Sequence, residues 1–212
     1  MKILQILSNI DRRIIYLLLS IAVITPMLIK IEMPIVPDQY AKIVYNAISE
    51  KFNNSPSSDK KILLSFDYGP STEPELGPMS FSIMKQVLLT DNEVHLVALF
   101  PTGLGMITKT INEIKSDSLL LKSNIDFDRK IVQLGYAPGG EAVIKGMLSD
   151  ISDPFPKVRD KVKNLCDYDF IVSFSAGSPG SKEWVQFAGD QSAAECNGEI
   201  IDVTTGVTAV QV

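Results

Sequence analysis

The chain has 212 residues, 45% of them hydrophobic, and a formal charge of −5. That is enough apolar side chain for one domain with a buried core, and the mild acidity with scattered lysines and arginines argues against a nucleic-acid surface, which needs a basic patch. One histidine, two cysteines and no C-x-x-C pair argue against a zinc site of the usual ligand types.

Arg12 and Arg13 precede an apolar run over residues 14–29, interrupted only by Ser20, Thr25 and Pro26 and ended by Lys30. Sixteen residues span about 24 Å as a helix, a little short of a bilayer's hydrocarbon core. Lys30 can snorkel, and Ile31 and Met33 extend the run, so residues 14–31 are expected to form a single-pass anchor in the lipid bilayer. A cleaved signal peptide would need a small-x-small site, and the following residues are bulky. A core helix apolar on every face would be odd in a domain this small. The Arg-Arg pair predicts a cytoplasmic N-terminus and an extracytoplasmic domain.

Residues 32–37, with Pro34 and Pro37, read as an extended exit. A helix with Asp38 as N-cap is expected next, with Ile43, Val44, Ala47 and Ile48 at helical spacing, inside a linker spanning 32–59. The polar stretch 53–59 reads as a loop.

From residue 60 one pattern repeats: a short apolar run, a loop rich in glycine and proline, then an amphipathic segment. The runs are 61–66, 95–100, 130–134 and 170–174. The loops are 67–78, 101–105, 135–140 and 175–181, and the helices 79–89, 106–115, 141–148 and 182–190. A fifth run, 199–203, follows the turn Asn197-Gly198, and Thr204-Thr205-Gly206 reads as another turn. Residues 116–128 and 150–167 read as polar insertions, and the lysine-rich stretch 157–163 as a solvated face. Short continuous apolar runs suit strands buried on both faces. The predicted fold is α/β: a three-layer, doubly wound, mainly parallel sheet of about five strands over residues 60–212, behind an N-terminal transmembrane helix.

Ligands of such sheets bind outside the carboxyl ends of the strands. Asp67 ends the first run, where an acid, base or cation ligand would sit, with Glu73 and Glu75 in the same loop; a loop-satisfying role is the alternative. The candidate ligand-binding residues are Gly69, Ser71, Thr72, Thr102, Gly103, Gly139, Gly140, Glu141, Ser175, Gly177 and Ser178. Their glycines could cradle an anion at helix N-termini, although no dinucleotide fingerprint or P-loop is present. A Ser-His-Asp triad is not expected, because His95 opens the second run, at the end opposite the loops. Trp184 and Phe187 read as core, with stacking near the loops as the sharper role for Trp184. Cys166 and Cys196 are expected to be two buried thiols, with a disulfide in an oxidising compartment as the alternative. No metal site and no particular cofactor is indicated.

The strings Ser65-Phe66-Asp67-Tyr68-Gly69-Pro70-Ser71-Thr72, Gly135-Tyr136-Ala137-Pro138-Gly139-Gly140 and Trp184-Val185-Gln186-Phe187-Ala188-Gly189-Asp190 resemble those of a group of uncharacterised bacterial and archaeal proteins. The resemblance runs from about residue 61 to 210. It implies one N-terminal membrane helix, an α/β domain, and a chain that continues past the last strand; it implies no activity. The function expected first is a membrane-tethered binding or assembly module, recognising a small ligand or another membrane protein. The second is an enzyme acting on a small polar or anionic substrate through Asp67.

Overall fold

The computed structural model describes residues 11–29, 36–53, 60–90, 92–158 and 162–210. The chain divides into two units, Met1–Asp38 and Gln39–Val212.

The first unit carries helix α1, Arg12–Leu28, capped by Asp11, whose carboxylate accepts the Arg13 N–H at 2.9 Å. Pro26 sits in its last turn, so the one backbone bond it removes lies near the end of the helix. Ile14, Leu17, Leu18, Leu19 and Ile21 are all at least half exposed, so apolar side chains project on every side. Seventeen residues span about 26 Å. Among the described residues, no helix is long and apolar enough to cross a membrane. Residues 1–10 of the N-terminal tail expected over 1–13, and residues 30 and 31 at the end of the expected anchor, lie outside the described residues.

The second unit opens with α2, Gln39–Asn53. Ile48 and Phe52, one turn apart, are buried in the core of the α/β domain. The helix therefore belongs to that domain and not to a linker. Five strands follow: β1 (Lys61–Asp67), β2 (Glu93–Ala98), β3 (Ile131–Tyr136), β4 (Phe170–Ser175) and β5 (Val203–Val207). All neighbours are parallel, in the order β3-β2-β1-β4-β5. Between them run α3 (Glu73–Leu88), α4 (Gly103–Ser116), the short α5 (Ser118–Lys122) and α6 (Phe127–Lys130), α7 (Glu141–Ser149), and α8 (Ser181–Glu183), which continues as a π-helix over Trp184–Asp190.

The central strands β1 and β4 are buried almost throughout. Alternate side chains enter different cores. Leu64, Phe66, Leu96 and Phe174 pack with α2, α3, α4 and α5, while Leu63, Val97, Leu134 and Ile171 pack with α7 and the π-helix. This is a three-layer α/β fold with five parallel strands. The chain reverses its direction of growth between β1 and β4.

Several features differ from the sequence reading. Helix α3 starts at Glu73, six residues early, because Pro74 stands in its first turn, where proline's absent N–H is harmless. The last strand is Val203–Val207, not 199–203. Thr204-Thr205-Gly206 is strand and not turn: valine and threonine favour extended backbone. Gly206 fits because an added Cβ would stand 3.1 Å from both Met79 Sδ and a Phe174 ring carbon. Strand β3 extends through Gly135, which takes φ +111° where the register with β2 shifts at Leu96/Val97. Cys166 and Cys196 form a disulfide, with Cα atoms 5.4 Å apart, in place of the expected free thiols. Their separation of 30 residues hid that closeness; each precedes one of two adjacent strands.

Candidate functional site

Because every strand runs the same way, all five carboxyl ends share one rim. The loops after them touch each other there. Thr102 Oγ1 donates to Tyr68 O at 3.3 Å, and a Cβ on Gly69 would lie 3.2 Å from Thr102 Oγ1. A Cβ on Gly103 would fall 2.1 Å from Phe66 O, so only glycine lets α4 start this close to β1. Gly177 faces the Phe100 ring, and Gly140, at φ +58°, abuts Pro179. Ala209 N–H donates to Glu75 Oε2 at 3.0 Å, joining the segment after β5 to the β1 side. Ser71, Thr102, Gly139, Glu141 and Ser178 are exposed on this rim, while Thr72, Gly69, Gly140 and Gly177 are half-buried.

Asp67 lies beneath the rim and is fully buried. Its Oδ1 accepts the Leu99 N–H at 2.8 Å. Its Oδ2 accepts Ser65 Oγ at 2.7 Å, Trp184 Nε1 at 2.9 Å and Ser173 Oγ at 3.3 Å. Residues 65 and 67 share a face of β1, and Ser173 is the register partner of Ser65 on β4. The carboxylate thus ties β1, β4, the residue after β2 and the π-helix together. Burial pushes its pKa from 3.8 up to about 6, although the bonds from Leu99, Ser65, Trp184 and Ser173 all pull it down.

The starts of three rim helices carry carboxylates of their own. Glu73 pairs with Lys109 at 2.7 Å, and Glu141 with Lys145 at 3.4 Å. Glu183 folds back over its own helix start, taking the Gly180 N–H and the Ser178 hydroxyl at 2.7 Å each. Burial raises the Glu183 pKa, but those two bonds, its own backbone N–H and the nearby Lys182 together leave it below the ordinary value. The start of α4 alone has no acid in its first turn. Ser175 is buried, its hydroxyl donating to Gly177 O at 2.9 Å, and a Cβ on Gly180 would fall 1.8 Å from Ser175 Oγ.

The rim therefore gathers the glycine- and serine-bearing loops, and separates them from Asp67. The partner that sequence reasoning missed is Trp184. Its indole nitrogen points at the carboxylate, a contact between positions 117 residues apart that no spacing rule reveals. The inward capping by Glu183 was legible as an acid three residues after Gly180. His95 is fully buried, with Nδ1 2.8 Å from the Tyr168 hydroxyl and Nε2 3.2 Å from Glu93, far from Ser178 along the sheet. Among the described residues, no group of three or more His, Cys, Asp or Glu side chains is arranged to hold a metal ion. Two clefts of about 560 and 540 Å³ lie at the opposite, amino side of the sheet, around Lys60, Phe170 and Asp202 and around Cys166 and Cys196.

No protein-family model and no curated protein matches the chain. Among solved structures, it is similar to a universal stress protein in complex with cAMP, at 11% identity over 71% of this chain and 98% of that one, with a TM-score of 0.34.

Proposed function

We propose that this chain is a membrane-tethered, extracytoplasmic α/β binding module, whose ligand or partner docks at the rim between the carboxyl ends of β1 and β4. The observation that carries the reading is the reversal of strand order at that place. Neighbouring helices there leave toward opposite faces, which opens a crevice in sheets of this kind. Gly69, Ser71 and Thr72 border it from one side, and Gly177 and Ser178 from the other.

The charge of the rim narrows the occupant. Glu73, Glu141 and Glu183 already neutralise three helix starts, and Glu183 occupies the hydrogen bonds an anion would use. These features favour a neutral or cationic polar group over a phosphate. The tether reading rests on the mostly apolar, exposed surface of α1 after its two arginines, which water solvates poorly and lipid well. The disulfide supports an oxidising compartment for the domain, in agreement with the arginines that open α1.

The reading as an enzyme has one observation in its favour: a carboxyl whose pKa of about 6 suits proton transfer near neutrality. Against it, both Asp67 oxygens are engaged internally and neither meets solvent.

Photo-crosslinking in membranes of expressing cells tests the docking rim. A photoreactive residue at position 71 or 178 should yield adducts by mass spectrometry, and one at Ile200, exposed near the other rim, should not. Equal labelling at all three positions, or none, would remove the proposed site. A reporter active only outside the cytoplasm, fused at the C-terminus, should be active; silence would reverse the orientation.

A further inference from the structure

We propose that Cys166–Cys196 is a thiol-exchange site, open to a dithiol reductant from the amino side of the sheet, whose reduction releases edge strand β5 while the rest of the sheet stays folded. Three observations carry this. First, both cysteines line a surface cleft of about 540 Å³ whose walls include the exposed residues Lys163, Asp167, Glu195, Asn197 and Glu199. Cys166 is half-buried and Cys196 buried, so Cys166 Sγ is the sulfur an incoming thiolate meets.

Second, the segment delivering β5 is weakly organised on its own. Between Asp190 and Val203 it holds a single 3-10 turn, Ser192–Ala194. The Ser192 hydroxyl donates to Gly189 O at the end of the π-helix and accepts the Ile201 N–H, a bond within the segment itself. Besides that bond to Gly189 and the Ile171 N–H donating to Asp202 O at 2.9 Å, the segment is attached to the rest of the domain by the disulfide, the buried Ile201 and an exposed Lys51–Asp202 pair at 2.8 Å. An exposed pair of that kind contributes at most about 1 kcal/mol. Third, β5 pairs with β4 alone and is only half-buried at all five positions, unlike β1 and β4. Removing the covalent clasp thus acts on an edge strand held on one side only.

The chemistry balances with a dithiol. Its thiolate attacks Cys166 Sγ, forming a mixed disulfide, and Cys196 leaves as a thiolate that takes up a proton. The second thiol of the reductant then displaces Cys166, which is protonated in turn. Two electrons and two protons pass from the dithiol, which ends as its own disulfide. The cleft carries Asp167, Asp169, Glu195, Glu199 and Asp202 against Lys51 and Lys163, so it disfavours anionic thiols and admits a neutral dithiol.

The test uses the full chain in detergent micelles with dithiothreitol as the probe, read by hydrogen–deuterium exchange. Reduction without denaturant should raise exchange of the Val203–Val207 amides by at least about tenfold, with β1 and β2 unchanged. The double variant Cys166→Ser/Cys196→Ser should show the same local pattern with no reductant present. Glutathione, an anionic thiol, should react more slowly than dithiothreitol. Resistance of the bond to dithiothreitol in the folded protein, unchanged exchange at 203–207, or equal loosening of all five strands in both the reduced protein and the variant would each overturn the proposal. It stands independently of the membrane and rim-docking readings, whose assays read adducts and orientation.

Discussion

Replacing Asp67 by asparagine separates a structural carboxylate from a reactive one. In the folded domain burial holds the acid's pKa at about 6, against 3.8 when exposed. A folded-state value above the unfolded one means that the stability this group provides is complete below about pH 3.8 and is lost as pH rises through about 6. A shift of roughly two units is worth about 3 kcal/mol, equivalent to about 6–12 °C of melting temperature for a domain of this size. Asparagine does not titrate, so the variant lacks this component. It carries a different fault. One of its two terminal atoms is an NH2 group, and both positions face an obligate donor, Leu99 N–H on one side and Trp184 Nε1–H on the other. One buried N–H is left without an acceptor, at about 1–3 kcal/mol. Chemical denaturation of wild type and Asp67→Asn at pH 4 and pH 7 measures both effects. The variant should be less stable by about 1–3 kcal/mol at pH 4, and the gap should close or reverse at pH 7. The wild-type-minus-variant difference isolates this residue from the other carboxyls. A difference independent of pH, or one that grows toward pH 7, would refute the burial argument.

Three further outcomes follow from the same geometry. Gly103→Ala, whose Cβ would meet Phe66 O at 2.1 Å, should lose at least about 1–3 kcal/mol in denaturant unfolding. Gly105→Ala, two residues along the same helix with nothing within 4 Å, should gain up to about 1 kcal/mol. Glu183→Gln removes a carboxylate held below its ordinary pKa by Ser178 and Gly180. It should cost about 1 kcal/mol at pH 7, and less as pH falls and the wild-type carboxyl protonates, read as melting temperature against pH. Chain lacking residues 1–35 should no longer float with phosphatidylcholine vesicles in a density gradient, whereas the full chain should; equal behaviour would remove the tether.

How much of this was legible without coordinates differs by element. The runs at 61–66 and 170–174 are apolar without alternation, because β1 and β4 lie at the centre of the sheet with a helical layer on each side. β5, at the edge, lacks that pressure, and its threonines and glycine looked like a turn. The Glu73 start of α3 was masked by Pro74 and Pro78, which mark loops as often as helix first turns. The loops of the rim were legible because glycine, proline and serine cluster wherever a strand gives way to a helix.

Local composition alone settled the alternation of strand and helix, and with it the common rim, since parallel strands joined by helices must all end on the same side. It also placed Asp67 at the end of the first strand. Which way that carboxylate turns depended on Trp184 and Ser173, more than a hundred residues away, and on a backbone N–H beyond the second strand. The joining of Cys166 to Cys196 and the position of the β1/β4 reversal likewise follow from strand order. Strand order is decided by packing between distant segments, and no window of sequence contains both partners of such a contact.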